Sequence, residues 1–380
     1  MKNSSGPISA PLPHPDERPR LGFLATVRWG LLASALALTA IGLATVHSAS
    51  AELGTDYFSR QLVWVCVGLV AMVVAFGLNY HTLLGFSLPL YFVSLVALAL
   101  VLVLGYEAGG AQGWFRLGSI GIQPSEFAKL VTALYLARYL AAPSTRQLPL
   151  RQIFIAILLV ALPMLLIVLE PDLGGAAMFV PMAAGMLLVA GVRPRMLLTT
   201  LVAGLLAVVL IWSLGMKPYQ RQRVLTFLAP DTDPLGSGYQ VRQSKIAVGS
   251  GELTGKGYGQ GSQSQLRFLP ARHTDFIFSV LAEEWGFLGV GAVLLLFSTY
   301  LANLAAVAMR AQDRAGILLV VGLGSTFAFH VLYNSAMVIG LVPVTGIPLP
   351  FLSYGGSFMV LNFLGLGLIL GVDYRRFANR

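Results

Sequence analysis

Apolar residues in this chain fall in long blocks separated by short polar loops. A bilayer core of about 30 Å, crossed by about 20 residues per helix, requires that spacing. The first block runs from Leu24 to Val46. Others fall near 60–78, 84–104, 124–141, 152–170, 174–191, 196–215, 275–305, 314–340 and 357–373. The pattern predicts an all-α membrane protein of about ten transmembrane helices. The fourth block is the least apolar, because it contains Glu126 and Lys129. A polar, glycine-rich stretch over 216–274 separates the seventh and eighth blocks, and its length marks it as functional rather than connecting. Residues 1–21 carry Pro7, Pro11, Pro13, Pro15 and Pro19 and little that is apolar, which predicts a disordered tail. Residues 22–380 read as one polytopic domain. Ala49-Ser50-Ala51 resembles a signal-peptidase site, but the run before it is longer than a signal peptide's apolar region, so an uncleaved first span is expected.

Composition agrees with the pattern. Charged residues make up 11% of the 380, against about 25% in a soluble domain, too few to cover a soluble surface. The net charge of +9 does not point to nucleic acid, because the basic residues are dispersed and flank apolar blocks. The one cysteine, Cys66, lies inside a block, so no intramolecular disulfide forms.

Basic residues also orient the chain. With the N-terminus in the cytoplasm, Arg28, Arg138, Arg146, Arg151, Arg193, Arg195, Arg310, Arg314, Arg375, Arg376 and Arg380 all fall inside. The short outer loops hold Arg60 and Arg116 but also Glu52, Asp56, Glu107, Glu170 and Asp172. Both termini are therefore expected in the cytoplasm, with 216–274 on the outer face.

The remaining polar residues gather on that outer side, and ionisable groups at membrane depth are functional candidates by default. In Gln123-Pro124-Ser125-Glu126-Phe127-Ala128-Lys129, Pro124 suits a first helical turn, and Glu126 and Lys129 share a helix face. They form either a bundle-holding ion pair or part of a site. Glu170-Pro171-Asp172-Leu173-Gly174-Gly175 offers a helix cap, a cation site or an acid–base pair, with capping by Asp172 favoured. Gly249 to Gly261 fails as a phosphate loop, since Gly255-Lys256 is followed by Gly257 rather than Ser or Thr. It reads as a flexible loop beside a groove. In Arg272-His273-Thr274-Asp275-Phe276, Thr274 or Asp275 is either an N-cap or, for Asp275, a general base at the membrane surface. Pro343 to Pro350 and Ser353-Tyr354-Gly355-Gly356-Ser357 predict a broken or re-entrant segment, which is tolerated only inside protein or beside a wet cavity. The histidines (14, 47, 81, 273 and 330) lie in separate segments, and no metal cluster, Ser-His-Asp triad or redox motif emerges. His330 and Asn334, at helical spacing, read as a hydrogen-bonding pair.

Taken in order, these segments resemble the SEDS (shape, elongation, division and sporulation) family. The matching pieces are Trp114-Phe115-Arg116, Gln123 to Lys129, Pro171-Asp172-Leu173-Gly174, Gly238-Tyr239-Gln240, Gln243-Ser244-Lys245-Ile246-Ala247, Phe268-Leu269-Pro270, His273 to Phe278, Pro343 to Pro350 and Ser353 to Ser357. Gln243-Ser244-Lys245, Gln263-Ser264-Gln265-Leu266 and Gly346 to Pro350 look like the RodA branch rather than the division branch, FtsW. Ala271 and Gly175 depart from the family, which often has Glu and Thr there.

The resemblance implies a ten-helix enzyme of the bacterial cytoplasmic membrane that polymerises lipid II into glycan strands. It implies Asp275 as the catalytic group. Arg116, Lys129, Arg221, Arg223, Lys245 and Arg272 become candidates to bind the substrate diphosphate. Gln123, Glu126, Asp172, Gln243, His273, Ser353 and Ser357 would line or brace the cavity. No organic cofactor is expected, whereas a divalent cation (Mg2+ or Mn2+) is compatible with the chemistry. A class B penicillin-binding protein and a rod-shape elongation complex are the implied partners. A lipid II flippase, a non-catalytic scaffold or an FtsW-like division polymerase are the alternatives. A flippase needs polar groups through the whole membrane depth, and here they concentrate in the outer half.

The orientation is checked by single-cysteine labelling in a Cys66-free background. Ser262→Cys should react with an impermeant reagent from outside the cell and Arg310→Cys only from inside; the reverse overturns the topology.

Overall fold

The computed structural model describes residues 28–51, 56–108, 111–118, 120–142, 148–199, 202 and 236–378. The 1–21 tail, most of the seventh predicted span and residues 216–235 lie outside the described residues. Helices α1 (Trp29–Ser50), α2 (Tyr57–Gly77) and α3 (Tyr80–Leu104) follow the first three predicted spans. α4 (Pro124–Ala141) and α5 (Leu150–Leu169) follow the next two, and the sixth is divided into α6 (Leu173–Ala177) and α7 (Phe179–Val189). α8 (Ser237–Ser250) and α9 (Ser262–Gln265) lie within the long polar stretch, and α10 (Ile277–Arg310), α11 (Arg314–Val338) and α12 (Gly356–Ala378) complete the bundle. Seven of the described helices are long and apolar enough to cross a membrane, namely α1, α2, α3, α5, α10, α11 and α12.

α4 is the least apolar span because it faces protein rather than lipid. It packs against α3, α5, α11 and α12 and buries Ser125, Glu126, Lys129 and Thr132 along with its apolar residues. The outer face of α2 is its opposite: Val63, Val70 and Val73 are exposed, as lipid contact requires. α2 runs along α12, where Gly68 meets the Phe363 ring and Gly367 meets the α2 backbone at Met72. Small residues let the two backbones close up without help from the hydrophobic effect.

Two features depart from the all-α pattern of simple spans. Between α3 and α4 the chain forms a three-stranded antiparallel sheet, β1 (Tyr106–Ala108), β2 (Ala111–Leu117) and β3 (Ile120–Ile122), in the order β1-β2-β3. These segments are too short to register as strands beside long apolar blocks. The second departure is a break in α10. At Gly286 the backbone turns to φ 63° and ψ −163°, a region open essentially to glycine alone. The predicted eighth span is therefore a buried half-helix, 277–285, followed by the apolar run from Phe287 to Arg310.

The glycine-rich loop after α8 fits into this break. The N–H groups of Lys256 and Gly257 donate to the carbonyls of Glu283 and Glu284, each at 3.0 Å. The N–H groups of Phe287 and Leu288 donate to Glu252 O (2.8 Å) and Leu253 O (3.1 Å). Both sets of helix-end groups that the break frees thus find partners. Glu283 is fully buried. Its carboxylate accepts from Lys256 Nζ (2.8 Å), Gln263 N (2.9 Å), Ser262 Oγ (3.2 Å) and Ser264 N (3.2 Å), the pairing that a buried charge requires. Glu284 bonds Ser48 of α1, and Gln265 Nε2 donates to Ser48 O at 3.1 Å. The stretch expected to be a flexible loop is instead bonded to two helices, because its glycines allow it to enter the break.

A Cβ at Gly286 would lie 2.7 Å from the Leu253 carbonyl, while one at Gly291, five residues on, would meet nothing within 4 Å. Gly286→Ala should cost at least about 1–3 kcal/mol through backbone strain. Gly291→Ala should be neutral or stabilising by up to about 1 kcal/mol. Thermal melting in detergent checks the pair, and equal melting of the two variants would contradict the break.

Candidate active site

Asp275 sits in a turn just before the half-helix. Thr274 N and Phe276 N both donate to Ala271 O, at 3.1 and 3.3 Å. Neither Thr274 nor Asp275 caps α10: the N-cap residue is Phe276, without a side-chain bond. The N-cap position thus falls one residue beyond Asp275, which is half-buried.

The irregular segment 339–355, predicted from its prolines and glycines, forms the opposite wall. Ser353 Oγ donates to Thr274 O (2.7 Å) and accepts from Leu349 N (2.8 Å). Tyr354 N donates to His273 O at 2.9 Å. A Cβ at Gly346 would stand 3.8 Å from Asp275 Oδ2. α11 supplies the remaining donors that such a buried, non-helical backbone needs. His330 Nδ1 bonds Pro348 O (2.9 Å), Tyr333 bonds Pro343 O (3.0 Å), and Asn334 Nδ2 bonds both Asp275 O and Ile347 O, each at 2.8 Å. His330 and Asn334, expected as a hydrogen-bonding pair of the bundle, both serve this segment.

The Asp172 turn packs on the same wall, with Gly174 against the Thr345 carbonyl. Asp172 Oδ1 accepts Gly175 N at 2.7 Å and so caps α6, as expected, while Oδ2 accepts from Gln123 Nε2 at 3.4 Å. Gln123 N donates to Ser357 Oγ, which donates to Gly121 O, both at 3.3 Å. Gln123, Asp172 and Ser357 thus join the sheet, α6 and α12. Gly175, where the family often has Thr, lies directly under the Asp172 carboxylate. Just past α5, Glu170 is fully buried, with no hydrogen bond to either carboxylate oxygen among the described residues. Burial first, and Asp172 second, push its pKa up to about 8, so at neutral pH it carries its proton.

One turn into α4, Lys129 Nζ lies 2.6 Å from Glu126 Oε1. The pair is buried and lines a groove together with His330, Phe358, Thr326 and Asn362. The pair therefore braces the bundle and also faces the groove.

The other candidates divide. His273 is half-buried, stacks on Tyr57 with centroids 4.4 Å apart and meets the edge of Tyr354 at 5.7 Å. Burial, then the Arg272 charge, lower its pKa, which keeps it neutral. Arg272 is 3% exposed. Arg116 is exposed on β2, bonding Gly118 O at 3.3 Å and lying over the Tyr106 ring at 5.4 Å. Lys245 is exposed on α8 and lies against Gly340, just beyond the C-terminus of α11, where a helix dipole favours a cation. Gln243 is half-buried on α8. Arg221 and Arg223 lie outside the described residues. The structure thus joins Asp275, His273, Arg272 and Ser353, with Asp172, Gln123 and Ser357 behind the same wall. Arg116 lies on the sheet and Lys245 beside Gly340, at the start of the irregular segment. Among the described residues no group of three or more His, Cys, Asp or Glu is placed to hold a metal ion.

Sequence reasoning gave no site role to Glu283, Glu284 or Asn334. Two adjacent carboxylates before Trp285-Gly286 inside an apolar block were the available signal of a break.

Residues 28–377 match the family model FTSW_RODA_SPOVE, described as cell cycle protein. The peptidoglycan glycosyltransferase MrdB of Escherichia coli K12 is 37% identical over 345 residues, covering 90% of this chain and 92% of the relative. Among solved structures, rod shape determining protein RodA of Thermus thermophilus superposes with a TM-score of 0.69 at 33% identity, over 92% of this chain and 98% of that one. A chain from work on the structural coordination of polymerization and crosslinking by a peptidoglycan synthase complex superposes with a TM-score of 0.80 at 36% identity, over the same shares.

Proposed function

We propose a reaction for this chain from one premise: it belongs to the FtsW, RodA and SpoVE family of cell cycle proteins, the SEDS family. It is a multi-pass membrane protein and, with its relatives, a peptidoglycan glycosyltransferase of the RodA kind. The substrate we propose is lipid II, polymerised at the outer face of the bacterial cytoplasmic membrane during elongation, with both termini of the enzyme inside.

In this reaction the 4-hydroxyl of one lipid-linked disaccharide attacks the anomeric carbon of the growing strand. The new O–C bond forms as the bond from that carbon to the diphosphate oxygen breaks, and undecaprenyl diphosphate leaves with the electron pair. Asp275 accepts the hydroxyl proton, or holds the hydroxyl for attack, and later releases the proton to water. The observation that carries this reading is the placement of Asp275. It stands one residue before the N-cap position of its half-helix, within reach of the Gly346 wall, and its backbone is bonded to α11. A general base needs that combination of reach and fixity.

The leaving diphosphate needs positive charge fixed where negative charge develops. Arg272 is the candidate nearest Asp275 in the chain. Lys129 is engaged with Glu126 and acts in this reading as a brace of the groove. Arg116, Lys245, Arg221 and Arg223 remain proposed outer contacts for the diphosphate. A divalent cation would add charge at the same leaving group. Among the described residues no three His, Cys, Asp or Glu gather as a cage; an ion such as Mg2+ keeps waters and takes one or two carboxylates beside phosphate oxygens. The proposed partner is a class B penicillin-binding protein within a rod-shape elongation complex. The similarity to a chain studied for coordination of polymerization and crosslinking supports it.

Purified protein with that partner and labelled lipid II tests the reading. Wild type should make glycan polymer. Asp275→Ala, at equal folded concentration, should lose at least about 10²-fold in rate, the usual contribution of a general base. Undiminished polymer from the variant would remove Asp275 from the chemistry.

A further inference from the structure

We propose that Asn334 is a positioning residue for Asp275: its one side-chain NH2 group sets the distance between the peptide that carries the catalytic carboxyl and the wall that faces it. The inference rests on the catalytic reading of Asp275.

Asn334 is fully buried in α11. Its Nδ2 donates to the carbonyl of Asp275 and to the carbonyl of Ile347, both at 2.8 Å. The two acceptors are 72 residues apart in the chain and belong to the two sides of the site. Ile347 is next to Gly346, whose Cα side faces Asp275 Oδ2. A change at Asn334 therefore moves the carboxyl and its opposite wall relative to each other. The neighbouring donors on α11 act on one side only: His330 bonds Pro348 O and Tyr333 bonds Pro343 O. Ser353 makes a second link across the site, to Thr274 O, but from the wall itself rather than from a rigid helix.

The chemistry of the position selects an amide. Two carbonyl oxygens can only accept, so the residue between them must donate twice from one atom. Ser and Thr donate once, and an ionised Asp donates nothing. Oδ1 of Asn334 accepts no hydrogen bond among the described residues. Asn334→Asp therefore keeps the shape and leaves at most one donor for the two carbonyls, without breaking an acceptor contact.

Displacement of a reacting group by about 1 Å can cost about 10²-fold in rate. The test measures kcat and KM for lipid II with full-length Asn334→Asp and Asn334→Ala, each assembled with its partner and normalised to the folded fraction seen by size exclusion and melting. Asp275→Ala runs in parallel. The expected result is a fall in kcat between about 10-fold and 10²-fold, with KM within about twofold, because substrate contacts are untouched. If Asn334→Asp does not fold, Asn334→Ala carries the same readout. A kcat within twofold of wild type in either folded variant overturns the inference, as does a loss expressed wholly in KM. An active Asp275→Ala would instead overturn the catalytic reading beneath it, and an inactive Asp275→Ala beside a fully active Asn334 variant would overturn the positioning role alone.

Discussion

A backbone polar group cannot be left unpaired near the hydrocarbon of a bilayer, and this protein breaks a helix there. The break at Gly286 frees carbonyls on one side and N–H groups on the other. The loop 252–257 satisfies both, through bonds of 2.8–3.1 Å to Glu283, Glu284, Phe287 and Leu288. The position of Asp275 depends on that insertion. It separates the apolar run of α10 from the half-helix 277–285, and the half-helix places Asp275 at its start. Glu283 then converts the same loop into a fixed body, by gathering a lysine, a serine hydroxyl and two backbone N–H groups on one buried carboxylate.

The site is built by the same logic on its other side. Residues 343–350 cross the protein without regular structure, and α11 supplies their missing donors from His330, Tyr333 and Asn334. The turn carrying Asp275 is bonded to that segment and to α11, so two irregular stretches share one rigid helix. The role proposed for Asp275 requires fixed geometry of this kind, since preorganisation replaces the reorganisation that water would need. Asp172, Gln123 and Ser357 extend the frame to the sheet and α12.

Much of this was legible in the sequence, for physical reasons. Long apolar blocks report lipid contact, so α1, α2, α3, α5 and the bundle after Gly286 were plain. α4 was the weakest because it is enclosed by protein, and its charges, Glu126 and Lys129, neutralise each other at 2.6 Å. Proline and glycine marked 343–350 as irregular, and Asp172 capped its helix as its spacing suggested. The break at Gly286 was hidden, because an apolar half-helix and an apolar span have the same hydropathy. The sheet was hidden by its brevity. For Asp275 the sequence offers cap and base alike, the family resemblance favours the base, and the N-cap position falls on Phe276. Asn334 was visible as a buried amide, but its partners lie in distant segments, which no local pattern reveals.

The central claim is that Asp275 is held where the attacking hydroxyl arrives. A structure of the protein with lipid II bound as acceptor tests it most directly, by the distance from the Asp275 carboxylate to the acceptor 4-hydroxyl. The account predicts about 2.6–3.2 Å, or one bridging water, with the Gly346 wall beside it. An acceptor hydroxyl seated against another outer-face carboxylate, with Asp275 out of reach, would contradict it.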